Sequence, residues 1–236
     1  MSPRARSVLA SLLVAAACLS GASVQAFELG TQRVGAQFRY WSFTRGNDLR
    51  DPIVYWASRP LHVQLEYWDF VRGDDQFRPE VGVHLLDRRR SSYTLQWRHE
   101  RNRERYTART EQLLAGGFVA LAEVSPIVAP GHTDWVAEGG LDYYFGSYNF
   151  EHVSVIRDPR NGGLWVVPMR LRLATERNDW VQLTVAPTSG RTLGWAADAK
   201  LRVLRLGVER NSRYDFTNLD NVIVTAGVEV TLPGAR

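Results

Sequence analysis

GGLWVVPMRLRLATERNDWVQLTVAP, Gly162 to Pro187, is the stretch whose reading decides the fold class. Trp165, Val167, Met169, Leu171 and Leu173 fall on alternate positions, with Val166, Pro168, Arg170, Arg172 and Ala174 between them. A polar turn follows at Glu176-Arg177-Asn178-Asp179, and then Val181, Leu183 and Val185 alternate with Gln182, Thr184 and Ala186. Period-two alternation on both sides of a polar turn predicts a β-hairpin with one oily face. The functional question is what that face touches, another sheet or lipid.

The same alternation recurs along the chain, at Val34–Tyr40, Leu61–Tyr67, Glu80–Leu85, Tyr93–Arg98, Trp135–Phe145 and Val222–Leu232. Turn signals separate these runs, among them Arg45-Gly-Asn-Asp, Arg72-Gly-Asp-Asp, Asp158-Pro-Arg-Asn-Gly-Gly, Thr188-Ser-Gly and Arg210-Asn-Ser. Ile53–Ala57, Tyr106–Leu114 and Leu193–Arg210 leave their strand boundaries open, the last reading as one long strand or as a hairpin near Asp198-Ala199-Lys200. Between 11 and 14 strands fit. With about ten residues per strand and about eight per connection, the chain accommodates about 12.

Strand length and the ends of the chain discriminate between sheet and lipid. Soluble strands average about five or six residues, whereas a tilted membrane-crossing strand needs about 9 to 11, which many runs here reach with their flanks. Aromatics make up 11% of the chain and gather near strand ends, at Tyr40-Trp-Ser-Phe43, Tyr55-Trp56, Tyr67-Trp68-Asp-Phe70, Tyr143-Tyr-Phe145, Tyr148, Phe150, Trp165 and Trp180, where two interfacial girdles would use them. Arg4 and Arg6 precede the uncharged run Val8–Leu19, and Val24 and Ala26 stand before Phe27, the pattern of a cleaved secretory signal over residues 1–26. That run is too short to span a bilayer as a helix. A lipoprotein cut before Cys18 is the weaker alternative. Cys18 is the only cysteine, so residues 27–236 carry neither disulfide nor thiolate chemistry.

The expectation is one domain, an all-β, antiparallel, up-and-down transmembrane β-barrel of the outer membrane, monomeric and embedded in its lipid. The formal net charge of +4 falls to about +2 without Arg4 and Arg6, and the charges are interleaved, so nucleic acid is not an expected partner. The pattern resembles the small bacterial outer-membrane β-barrels, and more loosely the YaiO family among them. Gly139–Phe150, Leu164–Thr175, and Arg213-Tyr-Asp-Phe-Thr with Val222–Leu232 carry this resemblance. It implies an outer-membrane barrel and supplies no catalytic residues. One departure is the end, Thr231-Leu-Pro-Gly-Ala-Arg236, which lacks the terminal aromatic usual in such barrels.

In a barrel the polar half of each strand faces the lumen. The inward set is expected to include Arg39, Glu66, Arg98, Glu138, Asp142, Arg170, Arg172 and Glu229. Mixed signs favour a wall that is cross-linked or lines a narrow pore for a small polar solute or saccharide, rather than a single-sign ring. The only candidate for nucleophilic chemistry is His152-Val-Ser154, since residues i and i+2 of a strand share a face. A similar His-x-Ser occurs on the outer wall of the outer-membrane phospholipases and lipid A deacylases. Here Val155 and Ile156 follow the serine, Glu151 points to the other face, and Val166 stands on the next strand where an orienting group is needed. Catalysis is therefore not expected. The remaining histidines, His62, His84, His99 and His132, lack metal-ligand spacing, and no phosphate-binding glycine loop is present, so no metal or cofactor is expected. Two further readings stand beside the structural or narrow-channel one. They are a lipid hydrolase using His152 and Ser154, and a soluble periplasmic β-barrel that binds a ligand.

Overall fold

The computed structural model describes residues 32–44, 48–58, 60–87, 91–145, 149–158, 163–175, 179–190, 193–210 and 221–232. The expected signal segment, the turns beginning at Arg45, Pro159 and Asn211, and the motif Arg213–Thr217 lie outside these residues.

The chain forms β1 (Gln32–Phe43), β2 (Leu49–Ser58), β3 (Leu61–Phe70), β4 (Gln76–Asp87), β5 (Ser91–Glu100), β6 (Arg103–Leu113) and β7 (Phe118–Ala129). It continues with β8 (His132–Tyr144), β9 (Phe150–Asp158), β10 in two pieces (Leu164–Val166 and Met169–Ala174), β11 (Trp180–Pro187), β12 (Leu193–Leu201), β13 (Leu204–Arg210) and β14 (Asn221–Leu232). Each strand pairs with the next, antiparallel, and β14 pairs with β1 from Gln32↔Leu232 to Phe43↔Asn221. The sheet is thus a closed up-and-down barrel with no free edge, which leaves no unpaired row of backbone groups.

The barrel has 14 strands, not about 12. Several connections are far shorter than the expected length of about eight residues. β5–β6, β7–β8 and β12–β13 are joined by residues 101–102, 130–131 and 202–203 alone. These turns close through positive φ at Arg101 (52°), Gly131 (87°) and Arg202 (56°). The Leu193–Arg210 region is accordingly a hairpin, turning at Arg202 rather than near Asp198-Ala199-Lys200. Pro168 breaks β10 because it has no N–H for the ladder. Ser154 N–H still donates to the Pro168 carbonyl (3.1 Å), and Val167 N–H to that of Pro187 (3.0 Å), so the register survives the break.

Alternation sorts the side chains. Val54, Leu183 and Leu206 are more than half exposed on the outer face, part of an aliphatic belt that also includes Val34, Val81, Val153, Leu173 and Val224. Such an apolar exterior needs lipid or a covering layer, and no part of the described chain covers it. Outward aromatics flank the belt: Tyr40, Tyr67, Phe77, Trp135 and Trp165 toward one rim, and Phe118, Tyr143 and Phe145 toward the other.

The aromatic assignment needs correction at every second residue. Trp41, Phe43, Trp68 and Trp180 are buried on the lumen side, not in a girdle. Pleating forbids neighbours such as Tyr40 and Trp41 from sharing a face. Trp41, Phe43, Leu49, Trp68 and Ile223 form one apolar cluster inside the barrel, and Ile127, Val136, Ile156, Val166 and Ala186 form another.

Candidate functional site

The lumen wall is where this chain concentrates chemistry, and it divides into three regions. The first runs over β1 to β7. Arg39 Nε donates to Asp51 (2.7 Å), and its guanidinium also bonds Glu66, which accepts from Trp68 Nε1 (2.7 Å). Arg78 lies 3.7 Å from Glu66 and 2.5 Å from Glu100, with its guanidinium 3.9 Å above the Trp68 ring. Arg98 donates to Glu80 (2.5 Å), which also meets His62 at 3.2 Å. Arg105 reaches Glu123 at 3.8 Å, and Arg109 reaches Glu111 at 2.6 Å and Glu123 at 3.9 Å. Gln96, Arg98, Arg105, Thr107 and Glu123 line a cavity of about 120 Å³ within this network. Each of these arginines has a carboxylate within ion-pair reach, which is what makes burying the charge tolerable.

The second region joins β8 to β9. Asp142 Oδ1 lies 2.5 Å from His152 Nδ1, and His152 Nε2 lies 3.0 Å from Ser154 Oγ. Glu138 stands 3.8 Å from the same Nε2. The third group that the sequence reading found missing is therefore present, on the preceding strand, at the hairpin partner position Asp142↔His152. The order Asp–His–Ser is that of a catalytic triad. Access is what it lacks, since Ser154 is 1% exposed and His152 5%. The pair also faces the lumen, while Glu151 and Val153 face outward, so membrane lipid cannot reach it as it reaches an outer-wall His-x-Ser. We read the chain as a hydrogen-bonded strut.

The third region spans β10 to β14 and the start of β1. Arg172 lies over Trp180 (4.1 Å) and near Phe150 (5.9 Å), and Arg205 approaches the same Trp180 at 5.6 Å. Arg205 and Arg33 both lie close enough to Arg172 to repel its charge. Lys200 and Tyr55 both donate to Glu229, at 2.6 Å each. Among the described residues, Arg33, Arg170, Arg172 and Arg205 make no ion pair, and Arg205 Nε is buried without a hydrogen-bond partner.

The eight lumen candidates fall into all three regions. Arg39, Glu66 and Arg98 sit in the first, Glu138 and Asp142 in the second, and Arg170, Arg172 and Glu229 in the third. Reading by clear alternation missed Asp51, Arg78, Arg105, Arg109, Glu123, Lys200 and Arg205. One signal was available. VGAQFRYWSFTRGND (34–48) and LHVQLEYWDFVRGDD (61–75) are an internal repeat that sets Arg39 and Glu66 at equivalent positions. Both copies close alike, with Tyr40 Oη donating to Asp48 (2.5 Å) and Tyr67 Oη to Asp75 (2.7 Å). Among the described residues no His/Cys/Asp/Glu group could hold a metal ion.

No family model matches the sequence, and no curated relative does. Solved structures do match in fold. The Acinetobacter baumannii outer membrane protein Omp33 is similar over 87% of this chain and 100% of its own, with a TM-score of 0.52 at 13% identity. The KdgM porin matches over 83% of this chain and 98% of its own, with a TM-score of 0.51 at 8% identity. A mutant of the Rhodopseudomonas blastica porin matches over 84% and 99%, with a TM-score of 0.50 at 10% identity. At these identities the likeness is one of fold, that of an outer-membrane β-barrel.

Proposed function

We propose that the protein is a monomeric outer-membrane barrel that admits small polar solutes, saccharides among them, through a narrow lumen. The observation that carries this reading is the charged lumen wall inside a closed barrel with an aliphatic exterior. Barrels of about 8 strands are filled by their side chains and those of about 16 hold an aqueous channel, and 14 strands lie nearer the second. The ion pairs of β1 to β7 hold their side chains against that wall. The unpaired arginines of the other wall are the groups free to meet a solute. The expected export segment, and an exposed aliphatic belt that no part of the described chain covers, support the outer membrane as the location. The motif at Gly139–Phe150 favours a YaiO-like member of these barrels.

Conductance tests it. The purified protein, reconstituted in a planar bilayer, is expected to give discrete conductance steps. Arg170→Glu with Arg172→Glu is expected to move its ion selectivity toward cations, because two charges on one wall reverse sign. A silent bilayer from correctly folded protein would contradict the channel and leave a filled, structural barrel.

A further inference from the structure

We propose that Arg33, Arg172 and Arg205 form a binding site for a multivalent organic carboxylate, at the rim where β1 begins and β14 ends. The inference names a ligand class for the lumen and rests on the channel reading for its use in transport. Binding itself does not require passage.

The charge balance comes first. Three guanidiniums gather near one rim, where the carboxylate of Glu229 already accepts from Lys200 and Tyr55 and that of Asp179 from the Arg202 N–H. Asp198 stands two residues further into the barrel on β12. Arginine does not lose its proton at any ordinary pH, so all three guanidiniums stay charged. Elsewhere in the same lumen, Arg39, Arg78, Arg98, Arg105 and Arg109 each have a carboxylate within 4.0 Å. The fold pairs its inward arginines where it uses them as struts, and here it does not.

Preorganisation comes second. Arg172 and Arg205 converge on one ring, Trp180, which is itself buried. Stacking fixes the plane of a guanidinium and leaves its N–H edge free for an anion. Arg205 Nε is buried and lacks a partner in the described chain, a donor that an incoming oxygen would satisfy. The spacing points to carboxylates rather than one compact anion. Arg172 and Arg205 are on β10 and β13 and meet over Trp180, but Arg33 is on β1, two strands beyond β13. Arg205 pairs with Gly227 and Gly227 with Gln37, four residues along β1 from Arg33, so the Arg33 backbone stands about 10 Å across the wall and about 13 Å along it from that of Arg205. An acid with carboxylates several ångströms apart engages all three, each by a bidentate pair.

Calorimetric titration of the detergent-folded barrel at low salt tests the site, with citrate, acetate and inorganic phosphate as probes. Citrate is expected to bind at least about tenfold tighter than acetate or phosphate, and to weaken as salt is raised. Arg172→Gln with Arg205→Gln is expected to weaken citrate by about tenfold or more, while Arg105→Gln leaves it unchanged. Arg33→Gln, at the exposed rim, is expected to cost several-fold, and it carries the test if the double variant does not fold. The proposal is overturned if wild type takes up no citrate, if phosphate binds as tightly as citrate, or if the folded arginine variants bind citrate as wild type does. Citrate binding by a protein that is silent in a bilayer would overturn the channel and leave the site standing.

Discussion

Two walls of one lumen treat the same side chain in opposite ways. On β1 to β7, Arg39, Arg78, Arg98, Arg105 and Arg109 are held by Asp51, Glu66, Glu80, Glu100, Glu111 and Glu123. On β10, β13 and the start of β1, Arg170, Arg172, Arg205 and Arg33 have no such partner among the described residues. An inward guanidinium with a carboxylate is a cross-link; without one it is a waiting donor. The difference teaches that the inward arginines of this barrel serve two purposes, and that partners rather than residue type distinguish them.

The strongest way to break the comparison is to remove a partner from the paired wall. Glu66 is 2% exposed and stands between Arg39 and Arg78. Glu66→Ala leaves both charges uncompensated and is expected to cost about 3–5 kcal/mol in urea unfolding of the vesicle-refolded barrel. The matching change on the other wall, Arg172→Gln, is expected to shift stability by less than about 1 kcal/mol, because lost stacking on Trp180 is offset by relief of repulsion. Similar losses from the two variants would erase the distinction between the walls.

A change at the strut between the walls has an intermediate effect. Asp142→Ala strands the buried His152 Nδ1 and is expected to cost about 1–3 kcal/mol, measured by the same unfolding. Ser154→Ala removes only the last link and is expected to cost less. If instead Ser154→Ala abolished an esterase activity of the folded wild type, with unfolding unchanged, the strut would be a catalytic triad.

The smallest effect lies outside the strands, in the connection after β1. The Tyr40 hydroxyl and then the Phe43 N–H hold the Asp48 carboxyl below its ordinary range. A depressed folded value contributes stability above the unfolded pKa, about 3.9, and loses it as pH falls through the folded value. Asp48→Asn is expected to flatten that acid-side slope slightly and to leave unfolding at pH 7 nearly unchanged. A large loss at pH 7 would give this exposed contact a weight the account denies it.

The outer face of the barrel was legible because an apolar exterior imposes one rule on every second residue. Leu164–Ala174 and Val222–Leu232 obey it with little noise, and both form strands. β7 was illegible for a physical reason. Its inward Leu121 and Ile127 are as apolar as its outward Val124 and Val128, so alternation disappears over Phe118–Ala129. The two-residue turns Arg101-Asn102 and Arg202-Val203 carry no glycine or proline to signal them. The inward side was harder still. Which carboxylate meets which arginine depends on register across hairpins, and Asp142, expected on the lumen face, was not matched to His152 because it precedes it by one strand rather than following it. The repeat at 34–48 and 61–75 shows that some of that register was written in the chain.

The central claim is a closed barrel with lipid on its outside, and gel mobility of the detergent-extracted outer-membrane fraction tests it most directly. The unboiled protein is expected to resist SDS and to run at a different position from the boiled one, as a barrel does when its β14–β1 seam holds it closed. A protein recovered in the soluble fraction, with the same mobility before and after boiling, would contradict the account. The oily face of Gly162–Pro187 would then be covered by something other than lipid.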